Sequence, residues 1–125
     1  PRICYDLRFP LWSRNRQNNS TDFAYDLLLY VANWPAARRT AWNTLLQARA
    51  IENLSYVVGV NRVGVDDHGN AYTGDSALID FNGDVVYRHS DTDAIYQQTL
   101  SIDALRSFRE KFPANLDADE FDLHL

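Results

Sequence analysis

Hydrophobic positions along this chain recur at two different periods, and the switch between them marks its elements. At 26–31, Asp26-Leu27-Leu28-Leu29-Tyr30-Val31 is a continuous apolar run of strand length, the pattern of a strand buried on both faces. It runs into Ala32-Asn33-Trp34-Pro35, a loop at that strand's carboxyl end, the edge where open α/β sheets bind ligands. Between 36 and 53 there is no Gly or Pro, and Trp42, Leu45, Leu46, Arg49 and Ala50 recur at helical spacing, so a long amphipathic helix is expected. The β-branched run at 56–63 is a further strand. Asp66-Asp67-His68-Gly69-Asn70 is turn chemistry, with Tyr72 and Ser76 in the loop beyond it. Ala77, Ile79 and Phe81 then alternate up to Asn82-Gly83, a hairpin signal before the strand at 84–87. A strand at 94–100, a helix at 103–111 stopped by Pro113, and an acidic docking arm at 117–121 complete the pattern. Strands alternating with helices point to α/β layering in one domain, 1–125.

The start of the chain departs from this order. Ile3-Cys4-Tyr5-Asp6-Leu7-Arg8-Phe9-Pro10 reads as a strand end, a thiol at the turn, and a polar run that can open a helix, with Asp6 able to cap backbone N–H groups. A short helix at 11–16 follows, broken by the polar stretch 17–21. Cys4 is the one cysteine. Free cysteine is commonly a small core residue, so on these grounds alone Cys4 stands open between core packing and a nucleophile.

Composition narrows the classes. The 125 residues are 46% hydrophobic and 23% charged, one domain's worth of chain. A net charge of −5 without a basic cluster argues against nucleic acid. No apolar run reaches spanning length, and a single cysteine suits a reducing compartment, so no membrane and a cytoplasmic location are expected. Lys111 is the one lysine. Pro1 leads within three residues into a strand end, which suggests a piece of something longer.

Several stretches then fall into one pattern. Ile3-Cys4-Tyr5-Asp6-Leu7-Arg8-Phe9-Pro10, Ala32-Asn33-Trp34-Pro35, Gln47-Ala48-Arg49-Ala50-Ile51-Glu52-Asn53, Asn61-Arg62-Val63-Gly64 and Tyr72-Thr73-Gly74-Asp75-Ser76 resemble, in order and spacing, the carbon–nitrogen hydrolase (nitrilase) superfamily. The tail, Arg109-Glu110-Lys111-Phe112-Pro113 and Asp117-Ala118-Asp119-Glu120-Phe121, resembles its bacterial ω-amidase branch, acting on 2-oxoglutaramate-type substrates. The resemblance implies an α-β-β-α sandwich with this chain as its carboxyl-terminal half, and commonly a homo-oligomer. It implies a Glu-Lys-Cys catalytic set with Cys4 as nucleophile and no metal or organic cofactor. In the family the Glu and Lys precede the cysteine, so they are expected on a missing amino-terminal half; Lys111 matches the tail motif instead.

Amide hydrolysis needs a nucleophile, a proton shuttle and oxyanion donors. Cys4 would attack the terminal amide of a small-molecule substrate, and the backbone N–H of Tyr5 would donate to the oxyanion, by analogy with other strand-turn-helix elbows. Arg8, Asn33 and Trp34 are the substrate-binding candidates. Arg8 suits a carboxylate, against a structural ion pair with Asp6 as the commoner role; Trp34 suits a pocket wall or loop packing equally. Arg38 is a second carboxylate candidate with a solvated helix face as its alternative. Glu52 reads as a structural hydrogen-bonding residue, and Tyr72 and Ser76 as satisfied turn residues. Two alternatives of function stay open: a non-catalytic assembly module on the same fold, and a nitrile or N-carbamoyl hydrolase. A Cys-His hydrolase is disfavoured, because His68, His89 and His124 show no orienting partner in sequence.

Overall fold

A computed structural model describes residues 1–17, 22–119 and 121. The break at 18–21, Glu120 of the acidic tail, and 122–125 with His124 lie outside the described residues. Among the described residues six strands, β1 (Arg2–Ile3), β2 (Leu27–Ala32), β3 (Tyr56–Asn61), β4 (Val63–Val65), β5 (Ala71–Ile79) and β6 (Val85–Ser90), form one mixed sheet with helices α1 (Arg39–Asn53) and α2 (Ile102–Lys111). β1, β2 and β3 are parallel; β5 runs antiparallel to β3 through 77–79 and to β4 through 71–73, and β6 pairs along its other edge.

One face of the sheet is the core. Leu28, Tyr30, Ala32, Val57, Ala77 and Ile79 point to it and meet Trp42, Leu46 and Ala50 of α1, with Leu7 and Trp34 closing the cluster. Each large apolar side chain buried this way contributes about 1.5–3 kcal/mol, and a one-residue slip would turn a whole strand outward, so the core sets the register. At Gly59 a methyl group would sit 2.6 Å from Leu46 Cδ1 and 2.7 Å from Trp42 Cζ2; α1 lies directly on the strand there.

The opposite face is open, and this corrects the expectation that β2 is buried on both sides. Leu27 and Val31 are 44% and 50% exposed, as are Ile3 and Val60 to similar or greater extents. Strand alternation sends every second residue of the apolar run to that face, and no described segment fully covers it. A groove of about 810 Å³ runs along it, lined by Val58, Val60, Leu78, Tyr87, Ile95 and Tyr96 among others.

Other boundaries shift for local reasons. The helix expected at 11–16 is a 3-10 turn, Pro10–Ser13, and the first turn before α1 is likewise 3-10, Ala36–Arg38. The strand expected at 56–63 breaks at Arg62 into β3 and β4. Tyr72 and Ser76 lie in β5, not in a loop, because β4 folds back to pair with it. The Asn82-Gly83 turn is present, its backbone N–H groups at Asn82 and Asp84 held by the Asp80 carboxylate at 2.9 and 3.0 Å. Residues 94–100 are not a strand: among the described residues no strand pairs with them, Ile95 is fully exposed, and Tyr96 instead stacks on Tyr87 at 3.7 Å. α2 is capped by the Ser101 hydroxyl and anchored by Arg109, which donates to the Leu54 and Tyr25 carbonyls and pairs with Asp26. The tail turns through Ala114–Asp117, and Arg16 holds the Phe121 carbonyl at 3.3 Å.

Candidate active site

β1 ends at Ile3 and passes directly into a 3-10 turn, Cys4–Arg8. Cys4 takes φ +40°, a left-handed conformation that costs a non-glycine residue about 1 kcal/mol or more and persists only when its surroundings impose it. The surroundings do so. The Ile3 N–H donates to the Asp6 carboxylate at 3.0 Å, the Phe9 N–H to the Asp6 carbonyl at 3.0 Å, and the Leu7 side chain is wholly buried. The half-buried thiol thereby sits at a sharp strand-to-turn bend.

Parallel pairing decides what faces it. Because Ile3 lies opposite Val31, the turn after β1 emerges beside the loop after β2. Cys4, Tyr5, Arg8, Asn33 and Trp34, far apart in sequence, line one cavity of about 500 Å³, completed by Pro35, Arg38, Asn70 and Tyr72. The larger groove on the open sheet face contains none of the five.

Trp34 packs inward and borders the cavity at once. It is 4% exposed, packs on Trp42 at 5.6 Å, and also lines the cavity. Its peptide is clasped by Asn61, whose Oδ1 accepts from the Trp34 N–H at 2.7 Å and whose Nδ2 donates to the Trp34 and Gly74 carbonyls at 3.0 and 2.8 Å. Asn33 is exposed at the cavity edge. Arg8 does not pair with Asp6; its guanidinium lies over the Trp34 ring at 4.9 Å and the Tyr5 ring at 5.9 Å. Among the described residues neither Arg8 nor Arg38 has a carboxylate partner. Arg38 is exposed but faces the cavity, rather than standing on a solvated helix face alone.

Below the loop, Asp75 is 1% exposed and accepts from Arg39, Ser90 and Thr73. Burial pushes its carboxyl up, but the Ser90 hydroxyl, the Arg39 guanidinium and the Thr73 hydroxyl together hold it below the usual carboxylate range. At the 66–70 turn, Asp66 is lowered to about 2 by hydrogen bonds from Asn70, with Tyr72 and His68 adding to them. That turn fixes Asn70 and Tyr72 at the cavity wall, and the Tyr72 hydroxyl, donating to Asp66 at 2.9 Å, has its own ionisation raised.

Glu52 lies away from the cavity, paired with Arg49 at 3.0 Å. Ser76 bonds the Asn61 backbone at 3.0 and 3.2 Å. Neither described histidine lines the cavity: His68 is in the exposed turn and His89 contacts Thr92. Among the described residues no three His, Cys, Asp or Glu side chains converge to hold a metal ion, and no helix is long and apolar enough to cross a membrane. Asn61, Asn70 and Arg49 were not singled out from sequence as site residues; Asn61 read as a strand residue and Asn70 as turn chemistry, and only pairing in space gives them their contacts.

The sheet and the thiol's place on it define an α/β protein whose candidate site lies at the carboxyl edge of its parallel strands. The family model described as carbon-nitrogen hydrolase matches residues 1–110, and the chain belongs to that family. It is 52% identical over 122 residues to an omega-amidase, YafV, of Yersinia enterocolitica, covering 97% of this chain and 45% of that protein. It is 40% identical over 110 residues to a 2-oxoglutaramate amidase of Paenarthrobacter nicotinovorans, covering 88% and 36%. A CN-hydrolase superfamily protein of Xanthomonas campestris, solved with an arsenic adduct in its active site, superposes with TM-score 0.94 at 50% identity, covering 98% of this chain and 47% of that one. The mixed sheet is therefore a nitrilase-superfamily fold, and the chain spans about half the length of these relatives or less.

Proposed function

We propose that this chain is the nucleophile-bearing, carboxyl-terminal part of an ω-amidase, which cleaves the terminal amide of a small dicarboxylic acid monoamide and releases ammonia. The observation that carries the reading is the cavity itself: a thiol on a strained turn shares it with two guanidiniums that have no carboxylate partner among the described residues. A substrate with an amide at one end and a carboxylate at the other matches that pair of features. The names of the two amidase relatives agree with it.

Cys4 Sγ attacks the amide carbon, its proton passing to a base, while the Tyr5 N–H donates to the oxyanion. The C–N bond breaks as the nitrogen takes a proton, leaving a thioester and ammonia; water then cleaves the thioester to the acid and regenerates the thiol. By the family pattern the base is a Glu and the second oxyanion donor a Lys, both carried by the amino-terminal part of the longer relatives. Lys111 sits at the end of α2 and does not line the cavity. The open apolar face supports such an arrangement, since parallel strands are ordinarily covered on both sides and Leu27, Val31 and Val60 await a second layer. The assembled protein works as a homo-oligomer in the cytoplasm.

The test is to produce the chain together with the amino-terminal part that its relatives carry and to measure ammonia from 2-oxoglutaramate, beside nitrile and N-carbamoyl substrates. Release is expected from the pair and none from this chain alone. In the pair, iodoacetate should alkylate Cys4 faster than iodoacetamide, reversing the order of free cysteine, because a charge-assisted contact is worth about 1.5–3 kcal/mol, roughly 10–150-fold. No release, with Cys4 reacting no faster than free cysteine, refutes the reading and leaves an assembly module on the same fold.

A further inference from the structure

The turn that carries Cys4 rests on a buried charge. Arg49, on the core side of α1, is 3% exposed, and its Nη2 donates to the Leu7 carbonyl at 2.6 Å while its Nη1 reaches Glu52 at 3.0 Å. Leu7 belongs to the same five-residue 3-10 turn as Cys4, where a short helix leaves its carbonyls without partners of their own. Glu52 is 29% exposed, so its charge is shared with water; the Arg49 guanidinium also interacts with the Tyr30 hydroxyl, and among the described residues its Nε has no hydrogen-bond partner. A buried guanidinium is weak evidence for stability, since an apolar side chain of similar volume is often neutral or stabilising in such a place. What an apolar residue does not supply is the directed donor to Leu7.

We propose that Arg49 is a positioning residue: its guanidinium fixes the Leu7 carbonyl and thereby holds the Cys4–Arg8 turn in the conformation that presents the thiol. The inference rests on Cys4 being the nucleophile. The arrangement is a strut between two rigid parts. α1 is packed on the sheet through Trp42, Leu46 and Ala50, so the position of Nη2 is set by the core. The left-handed backbone at Cys4 stores strain that would relax if the far side of the turn were freed. Asn53 donates to the Arg49 carbonyl at 2.9 Å and accepts from the Asn15 N–H at 2.9 Å, so the same part of α1 also secures the chain just beyond the turn.

The experiment uses the chain paired with the amino-terminal part of its relatives and compares wild type with Arg49→Met and Arg49→Lys. The readouts are Cys4 alkylation by iodoacetamide, kcat and KM for 2-oxoglutaramate, circular dichroism, and hydrogen exchange at the Phe9 amide, which bonds across the turn to Asp6. Arg49→Met should fold, slow alkylation and kcat at least tenfold with KM changed less than threefold, and speed Phe9 exchange at least tenfold. Arg49→Lys, which can reach Leu7 or Glu52 but not hold both, should fall between. A folded Arg49→Met with Phe9 exchange and alkylation within twofold of wild type overturns the proposal. If Arg49→Met fails to fold, Arg49→Lys decides by the same criteria. A wild-type Cys4 no more reactive than free cysteine refutes the amidase reading, and Phe9 exchange then still tests the strut.

Discussion

Asp75 is the place where a single atom change tests how the site is held. Its carboxylate accepts four hydrogen bonds: two from Arg39, at 2.7 and 3.1 Å, one from Ser90 at 2.6 Å and one from Thr73 at 3.0 Å. Its carbonyl accepts from the Trp42 indole at 2.9 Å, so Asp75 joins α1, β5 and β6 beneath the Trp34 loop. Its φ is +54°, a region in which Asn is as well tolerated as Asp, so Asp75→Asn removes the charge without adding backbone strain. The amide keeps one acceptor oxygen for Ser90 and one arm of Arg39. Its NH2 then faces the other Arg39 donor, whereas the Thr73 hydroxyl can turn to accept. Truncating a fully buried ion pair costs about 3–5 kcal/mol, but Arg39 is 48% exposed and can turn to water. The expected loss is therefore that of one charge-assisted hydrogen bond, about 1.5–3 kcal/mol. At about 3–5 °C per kcal/mol for a chain of this size, the melting temperature should fall by about 5–15 °C.

The pH dependence separates this account from simple packing. Because the folded-state carboxyl lies below its unfolded value, its contribution is fully present above the unfolded value, near 4, and is lost as pH falls through the folded one. The gap between wild type and Asp75→Asn, measured by urea unfolding, should be full at pH 7 and narrow steadily below about pH 4. A gap under about 0.5 kcal/mol at pH 7, or one unchanged at pH 3, refutes the reasoning.

Two further substitutions have directed outcomes. Asn61→Leu leaves the Trp34 N–H and the Trp34 and Gly74 carbonyls without their side-chain partner, so a loss of about 2–4 kcal/mol is expected in denaturant unfolding, with increased Trp34 solvent quenching as the loop detaches. Gly59→Ala drives a methyl group into Leu46 and Trp42 and should cost about 1–3 kcal/mol by thermal unfolding, with no loss of the 66–70 turn, where the Asp66 carboxyl near 2 should keep its NMR titration.

Much of the layout was legible beforehand where one residue type answers to one local rule. The α1 face, the Asn82-Gly83 turn and the Pro113 stop depend on periodicity or backbone chemistry within a few residues, and they are where they were expected. Sequence and structure part where a partner distant in sequence decides. Residues 94–100 have strand-forming composition, yet among the described residues no strand pairs with them; Tyr72 and Ser76 have turn neighbours, yet β4 draws them into β5. The residues around Cys4 show the same division. Their chemical types stand out in order along the chain, but the absence of an Asp6 pair for Arg8, and the clasp of Asn61 on Trp34, follow only from contacts between strands.

Local patterns of polarity and turn chemistry in the sequence determined the alternation of strands with one long helix and a cysteine at a strand end, and the order and spacing of its motifs determined the family. Tertiary structure alone decided that Cys4 is held left-handed, that Arg8 lies on Trp34 facing the same cavity, and that one sheet face stays open. Each of these depends on which strands run side by side, and that pairing is set by the packing of α1 against the sheet rather than by any stretch of sequence read alone.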